Sequence, residues 1–322
     1  MIDPKINVSQ EFLKLIAELD EFKGKWTTIR TMSPERLNQL RRVATIESIG
    51  SSTRIEGTKL SNSQVEALLF NIGMTSFKTR DEQEVAGYSE AMDLIFQAWE
   101  DMPLTENHLR QLHQVLLRHS EKDSRHRGEY RTLDNHVVAM DSEGNEVGVV
   151  FQTSTPFDTP FEMEELVAWV HKAISEESFH PLLMIGVFIV VFLAIHPFQD
   201  GNGRLSRVLT TLLLLRAGYS YVPFASLESV VEANKDLYYK ALRRTQMTLK
   251  SETPDWEPWL GFFLRCLKQQ KRNMAGKVEI EESSGDEDLP KLSLDILQLL
   301  LHTERMTIAE MVAATGGNQN TL

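Results

Sequence analysis

The 322-residue sequence has a single cysteine, Cys266, and too few basic residues to balance its acidic ones. One cysteine cannot form an internal disulfide, and it cannot supply a cysteine cluster for a metal. The 34 Lys and Arg residues against 46 Asp and Glu give a net charge of −12. Nucleic acids and membrane surfaces are bound by basic surfaces. The composition therefore argues against both as broad partners, while it leaves room for a small basic pocket.

The sequence also shows neither a recognisable membrane span nor a secretion signal. Residues 181–195, PLLMIGVFIVVFLAI, are apolar throughout, but they fall short of the ~20 residues that cross a bilayer. The N-terminal MIDPKINVSQEF has no basic start and no apolar core. We therefore expect a cytoplasmic protein without a membrane partner. Its length suggests about two domains.

Two apolar segments flank a short polar one. Residues 181–195 and 208–215 are apolar on every side, which predicts buried helices. Between them lies HPFQDGNGRLSR, residues 196–207, with a histidine, a glycine pair and two arginines. We expect a polar loop that joins two core helices and carries the chemistry of the protein.

The loop should end where the second helix begins. Pro197 disfavours helical geometry at His196, and the sequence Asp-Gly-Asn-Gly is a strong turn signal. We therefore predict that the second helix opens at Asn202 or Gly203.

Arg204 and Arg207 would then lie in a first helical turn, where a cation opposes the helix dipole by ~0.3–1 kcal/mol. An anion bound there would offset this cost, and backbone N–H groups at a helix N-terminus favour anions. The pattern predicts a polyphosphate clamp, with His196 as acid or base and Asp200 as a metal-facing carboxylate. The alternative is an ordinary turn whose arginines pair with surface carboxylates.

The segment HPFQDGNGRLSR resembles the motif of the Fic family, H-x-F-x-[DE]-G-N-G-R-x-x-R, at every defined position. SSTRIEGT, EVAGYSEAM, GEYR, SVVEANKDLYYKAL and DWEPWLGFFL also resemble family members, so the likeness covers roughly residues 40–265. It implies an all-α fold, a mainly helical Fic-type bundle with a small β-hairpin flap. It also implies nucleotidyl transfer, typically of AMP from ATP to a hydroxyl of a target protein.

The resemblance assigns a role to each loop residue. His196 would take the hydroxyl proton, Asp200 would hold Mg²⁺ against the phosphates, and Arg207 would grip the γ-phosphate. The expected nucleotide site comprises Phe198 as apolar anchor, Asp200, Gly201, Asn202, Gly203, Arg204 and Arg207.

Tyr238 and Tyr239 resemble paired aromatics that follow the motif in relatives and are candidates for the adenine or ribose. Adjacent side chains on a helix point in different directions, so at most one is expected to face the nucleotide. Asn234, four residues before Tyr238, could share its face.

SSTRIEGT fits the inhibitory motif of the family, [ST]-x-x-x-E-[GN], at Ser52, Glu56 and Gly57. Glu56 would pair with Arg207 and occupy the γ-phosphate position, because one guanidinium cannot serve a carboxylate and a phosphate at once. Low resting activity is the implied result. The alternative is an ordinary glutamate before a helix-ending glycine.

Residues 135–153 show the hairpin signal, β-branched runs around a Gly-Asn turn. In relatives the corresponding flap pairs with the target segment, and residues 147–153 are the candidates here. An ordinary two-stranded ribbon is the alternative.

The predicted helix at 105–119 carries His108, His113 and His119, whose spacings share no face, so we expect surface histidines.

The chain is expected to have four parts: an N-terminal helical region with the inhibitory motif (1–104), a Fic catalytic core (105–275), an acidic linker (276–291) and a partial winged-helix-like or helix-turn-helix-like unit (292–322). In the last part, LSLDILQLLL, MTIAEMVAATG and GGNQNTL resemble successive helices of such a unit. Few of its residues are basic, which favours a protein-interaction or vestigial role over DNA binding.

The leading function is therefore an autoinhibited protein adenylyltransferase that uses ATP and Mg²⁺ on a Tyr, Ser or Thr hydroxyl of a target protein. One alternative is removal of AMP, with Glu56 positioning a water. Another is a non-catalytic ATP-sensing regulator whose C-terminal unit binds DNA or protein. A homodimer is left open.

Overall fold

The computed structural model describes residues 4–26, 34–70, 77–135, 137–140, 146–151, 153–284 and 307–315, and this part of the chain is mainly helical with one two-stranded sheet. The fold confirms the expected all-α class with a small β-hairpin. The elements are α1 (Gln10–Trp26), α2 (Pro34–Ile55), α3 (Asn62–Phe70), α4 (Arg80–Ala98), α5 (Glu106–Leu116), β1 (Val137–Met140), β2 (Glu146–Phe151), α6 (Thr159–Ser175), α7 (Pro181–Ile195), α8 (Asn202–Arg216), a 3-10 turn (Val222–Phe224), α9 (Leu227–Ala233), α10 (Lys235–Gln246), α11 (Glu257–Ser284) and α12 (Ile308–Thr315).

Contacts divide the chain into two compact units, Met1–Arg272 and Asn273–Leu322. Helix α7 forms the centre of the first unit, because all its residues except Pro181 and Val191 are buried. It packs against α6, α8 and α10. No helix in the described residues is both long and apolar enough to cross a bilayer.

The turn between α7 and α8 places two helix ends side by side. His196 adopts the left-handed conformation with φ 56°, which ends α7. Gly201, with φ 81°, then directs the chain into α8 at Asn202, as the turn signal predicted. The carboxyl end of one buried helix and the amino end of the next therefore meet in this loop.

The hairpin stands beside the same loop. Its strands are antiparallel, with Val138 opposite Val149 and Ala139 opposite Gly148. At its base, the Asn135 amide donates a hydrogen bond of 2.6 Å to the carbonyl of Gln199. This bond fixes the start of the hairpin to the polar loop.

The C-terminal predictions have mixed outcomes. The acidic segment 276–291 stays a predicted linker; α11 continues through its first part to Ser284, and the Lys, Glu and Ala residues there are good helix formers. Helix α12 confirms a helix in MTIAEMVAATG. LSLDILQLLL and GGNQNTL lie outside the described residues, so the winged-helix-like unit and the four-part division stay predictions.

Gly87 on α4 touches the backbone of α5, since a Cβ at Gly87 would overlap the carbonyl oxygen of Leu116. We expect Gly87→Ala to lower the free energy of unfolding by about 1–3 kcal/mol, a usual cost of overpacking. Urea denaturation measures it. The control is Gly24→Ala on α1, where a Cβ meets nothing within 4 Å and a neutral or slightly stabilising effect is expected. Equal effects of the two substitutions would contradict the close α4–α5 approach.

Candidate active site

Phe198 and Asn202 give the polar loop a fixed shape. The Phe198 side chain is fully buried, and its ring stacks on that of His113 with centroids 3.8 Å apart. The Asn202 side chain accepts a hydrogen bond from the Phe198 N–H at 2.9 Å and donates one to the Phe198 carbonyl at 2.7 Å. Phe198 therefore lies where the resemblance places an apolar anchor.

His113 is fully buried beneath the loop, so the prediction of a surface histidine is wrong for this residue. Its Nε2 donates to the carbonyl of Asp200 at 2.9 Å, and its Nδ1 accepts from the N–H of Gly128 at 2.8 Å. Burial lowers the pKa of His113 to about 4. A neutral imidazole with one donor and one acceptor nitrogen satisfies both bonds.

The sequence contained a signal for this burial. His113 falls in the apolar stripe formed by Leu109, Leu112 and Leu116, all of which are buried on α5. That spacing of three and four residues is the pattern of a core-facing helix side.

His196 is positioned to accept a proton. Its Nδ1 lies 3.3 Å from the carbonyl of Leu193, and this nitrogen must carry the hydrogen because a carbonyl only accepts. The lone pair is therefore on Nε2. Burial lowers the pKa of His196 to about 4, so the imidazole is neutral at pH 7.

Arg131, to which the sequence analysis gave no role, ties His196 to the base of the hairpin. Its buried guanidinium donates to the carbonyl of His196 at 2.8 Å and to the carbonyl of Ser154, just after the hairpin. Together with the bond from Asn135 to Gln199, this contact joins the hairpin base to two points of the loop, His196 and Gln199.

The N-terminus of α8 is where the sequence predicts an anion site. The N–H of Gly201 is used by a carboxylate oxygen of Asp200 at 2.6 Å. The N–H groups of Asn202 and Gly203 have no partner among the described residues. A Cβ at Gly203 would overlap Oε1 of Glu56. The Glu56 carboxylate therefore lies against the helix end that favours negative charge.

Arg207 holds this carboxylate. Its Nη2 lies 2.7 Å from Glu56 Oε1, and it also donates to the carbonyl of Ser52 at 3.0 Å. Its Nε donates to the Ser52 hydroxyl at 2.8 Å. Partial burial raises the pKa of Glu56, but the guanidinium outweighs this and holds that pKa below its ordinary value. In the described part of the chain, Arg207 Nη1 is buried without a hydrogen-bond partner.

The predicted inhibitory motif lies at the carboxyl end of α2. The helix ends at Ile55, and Gly57 has φ 107°, a conformation that favours glycine. Arg54 pairs with Glu232 at 2.6 Å, which fastens this helix end to α9. Ser52, Glu56 and Gly57 are thus brought to the loop as one segment.

Asp200 belongs to a cluster of side chains with alternating charge. Its Oδ1 accepts from Arg204 Nη2 at 3.1 Å, and its Oδ2 lies 3.2 Å from Arg80 Nη2. Arg204 is buried, with Nη1 3.3 Å from Glu84, so it supports Asp200 from within the core. Burial raises the pKa of Asp200, but Arg204 and the Gly201 N–H outweigh it, and the carboxylate is ionised at neutral pH.

The two tyrosines after the loop diverge, as expected for neighbours on a helix. Tyr238 is buried and packs against Trp259. Tyr239 is 42% exposed, and its hydroxyl donates to the carbonyl of Ile55 at 3.4 Å, beside the inhibitory motif. Asn234 folds back onto the carbonyl of Val230 at 2.9 Å. Tyr239 is therefore the tyrosine at the opening of the site.

Asp200 is the carboxylate best suited to a divalent cation. The described residues contain no group of three or more His, Cys, Asp or Glu side chains that could hold a metal. Mg²⁺ commonly uses one or two carboxylates together with substrate phosphates and water. Asp200 Oδ2, an ionised oxygen beside the anion site, fits a cation that arrives with a polyphosphate.

Residues 103–214 match the model of the Fic/DOC family. The chain is 30% identical to a protein adenylyltransferase Fic of Culex quinquefasciatus over 261 residues, which are 80% of this chain and 46% of that protein. A protein adenylyltransferase Fic of Drosophila grimshawi is 27% identical over 79% of this chain and 47% of its own length. The chain thus spans about half the length of the curated relatives it matches.

Solved structures share the fold. A Fic domain containing signaling protein from Bacteroides thetaiotaomicron VPI-5482 matches with a TM-score of 0.65 and 23% identity, covering 85% of this chain and 99% of that one. A Fic family protein from Desulfovibrio desulfuricans G20 matches with a TM-score of 0.67 and 23% identity, covering 99% and 88%. These likenesses establish the helical architecture around the loop.

The buried His113 predicts a pH-dependent stability. Its pKa is lower in the folded protein than the ordinary ~6.5, so the unfolded chain takes up the proton first. The contribution of His113 to the free energy of unfolding is complete above pH ~6.5 and is lost as the pH falls towards 4. At ~1.36 kcal/mol per pKa unit, the loss amounts to up to about 3 kcal/mol.

His113→Gln, which cannot take up a proton, should lose less stability than the wild type over this pH range. Urea denaturation at pH 7.5, 6, 5 and 4.5 measures the difference. The pKa of His196 is also lowered, but His196 is present in both proteins, so its effect cancels from the difference between them. Parallel pH profiles for wild type and variant would contradict a neutral, buried His113.

Proposed function

We propose that the protein is an adenylyltransferase that transfers AMP from ATP to a hydroxyl of a target protein and is inhibited by its own Glu56. The match of residues 103–214 to the model of the Fic/DOC family supports this proposal. The relatives named protein adenylyltransferase Fic support the reaction class. The observation that carries the proposal is the ion pair between Arg207 and Glu56 at the N-terminus of α8, in the same loop as a neutral His196.

The anion site suits the phosphates of ATP. The N–H groups of Asn202 and Gly203, together with the unpartnered Arg207 Nη1, offer donors for a polyphosphate at a helix N-terminus. Asp200 would hold Mg²⁺, which when bound neutralises charge on the phosphates and on the departing pyrophosphate. Tyr239 lies at the opening, where it can contact the nucleoside.

His196 would act as the base. Its neutral Nε2 accepts the proton of the target hydroxyl as that oxygen bonds to the α-phosphorus. The bond from the α-phosphorus to the β-bridging oxygen breaks, and pyrophosphate leaves with the electron pair. The negative charge of the bound triphosphate raises the pKa of His196, which strengthens the base when substrate is present.

Glu56 would keep the resting enzyme inactive. Its carboxylate binds Arg207 at 2.7 Å and lies over Gly203, where the terminal phosphate would otherwise be held. The Glu56 carboxylate repels a terminal phosphate in that space. The phosphate also cannot form a bidentate pair with Arg207, because Arg207 is already bound to Glu56. ATP then binds weakly or with its α-phosphate misplaced.

The hairpin would present the target. A protein segment that adds a strand beside residues 147–153 is held through its backbone, so a Tyr, Ser or Thr hydroxyl can be placed without extensive side-chain recognition. Arg131 and Asn135 hold the hairpin base against the loop that carries His196.

Removal of AMP is a second candidate function, favoured by one property of Glu56. Its side chain is 33% exposed and its pKa is lowered, so it is an ionised carboxylate within reach of solvent water. Such a group can orient a water for hydrolysis. The ATP-sensing alternative uses neither this group nor the free Nε2 of His196.

A cytoplasmic location, a homodimer and DNA binding by the C-terminal unit stay predictions.

Removing the carboxylate of Glu56 tests inhibition. Glu56→Gly and Glu56→Gln should both raise AMP transfer from α-labelled ATP by at least about tenfold, equivalent to ~1.4 kcal/mol, because Arg207 becomes available to the γ-phosphate. Transfer to the enzyme itself or to lysate proteins provides the readout. ADP affinity should change little, since ADP has no γ-phosphate.

The matched control is Glu66→Gln, which removes a carboxylate from an exposed pair with Arg42 on the same N-terminal region and should leave transfer low. Wild-type rates in both Glu56 variants, with ATP bound, would contradict inhibition. Loss of an AMP-removal activity in them would favour the second function instead.

His196 is tested in the activated background. Glu56→Gly with His196→Ala should lose transfer by about 10²-fold or more, a typical contribution of a general base, while ADP still binds. Calorimetry with ADP and labelling with α-labelled ATP separate the two effects. Substantial transfer by the double variant would remove His196 from the base role.

A further inference from the structure

The two carboxylate oxygens of Asp200 have different surroundings. Oδ1 is held inside the loop by the N–H of Gly201 at 2.6 Å and by Arg204 at 3.1 Å. Among the residues that the structure describes, Oδ2 is paired with one group, the guanidinium of Arg80, at 3.2 Å. Oδ1 is therefore committed to the fold, and Oδ2 is the oxygen that can bind a ligand.

Arg80 is not part of the loop, and its position is unusual for a cation. It is the first residue of α4, where the positive end of the helix dipole disfavours a guanidinium. Two carboxylates offset this cost, Glu84 at 2.8 Å from Nε and Asp200 at 3.2 Å from Nη2. The position of Arg80 is thus explained by the anions that it bridges.

We propose that Arg80 is a metal-gating residue: its guanidinium covers the oxygen of Asp200 that Mg²⁺ must use, and it thereby sets the affinity of the nucleotide site for the cation. The inference rests on the proposed function, because that function brings Mg²⁺ to Asp200. The guanidinium and the metal ion cannot share Oδ2, since both are cations that need the same lone pairs.

The contact with Asp200 is the one that Arg80 can give up. Its side chain is 60% exposed, so the guanidinium has room to move into solvent. Its Nε bond to Glu84 is shorter than its contact with Asp200, 2.8 against 3.2 Å, and Glu84 is almost fully buried and fixed. Arg80 can therefore release Oδ2 while it keeps its second partner.

This contact is separate from the one made by Glu56, although the same segment adjoins both. Thr58 donates to Glu84 at 3.4 Å, and the N–H of Lys59 donates to Asp81 at 3.1 Å. The residues after Glu56 thus touch the start of α4. Removing the Glu56 carboxylate alone frees Arg207 and leaves Asp200 covered.

The test compares ADP affinity with Mg²⁺ and with EDTA, measured by calorimetry, since ADP needs no γ-phosphate. The gain in affinity caused by Mg²⁺ reports how readily the cation occupies the site. Arg80→Gln should increase this gain by roughly 1.5- to 5-fold, the range of an exposed ion pair. Arg80→Lys, which keeps the charge but not the bridging fork, should increase it less.

Two controls locate the effect. Arg118→Gln removes an arginine of similar exposure, 57%, from a pair with Glu90, and it should leave the gain unchanged. In an Asp200→Asn background, Arg80→Gln should also have no effect on the gain, because the contested oxygen no longer carries charge.

An unchanged or smaller gain in Arg80→Gln would overturn the proposal. So would weaker ADP binding in EDTA without any change in the gain, because Arg80 would then be a phosphate ligand. AMP transfer by Glu56→Gly, measured separately, distinguishes the failures: transfer with an unchanged gain refutes only the role of Arg80. Absence of both transfer and ADP binding refutes the proposed function, and this inference with it.

Discussion

The buried guanidinium of Arg207 is the constraint around which the site is arranged. A charge removed from water is costly unless it is paired and hydrogen-bonded. Arg207 is 6% exposed, and the chain supplies it with a carboxylate, a hydroxyl and a carbonyl from one helix end. Because that helix end is the carboxyl terminus of α2, the need to neutralise Arg207 also fixes the N-terminal helices against the central pair.

Both charged and neutral contacts hold the loop in place. Arginines and carboxylates alternate from Glu84 through Arg204 to Asp200, so each buried charge has an opposite neighbour. Neutral groups set the path of the backbone: His113 and the Asn202 amide bind main-chain atoms of the loop. Charged groups add to this backbone support, because the Asp200 carboxylate binds the Gly201 N–H and Arg131 binds the His196 carbonyl.

The features predicted from the sequence are those encoded by adjacent residues. The two apolar runs around HPFQDGNGRLSR predicted α7 and α8, and the turn signal placed the start of α8 at Asn202. Residues whose role depends on distant elements were missed. Arg131 reaches across 65 positions to His196 and Arg80 across 120 to Asp200, and no local spacing reports such contacts. His113 was different, because its place in the apolar stripe of α5 was visible and went unused.

The hydrogen bond from Arg131 to the carbonyl of His196 would affect which hydroxyl of a target segment reaches the histidine. Along an extended strand each residue advances by about 3.3 Å, and alternate side chains face opposite sides. A slip of one residue turns the hydroxyl away, and a slip of two carries it about 6.6 Å past the histidine. With the hairpin base fixed to the carbonyl of His196, the pair would act as a ruler, which selects a hydroxyl by its distance along the strand rather than by its neighbours.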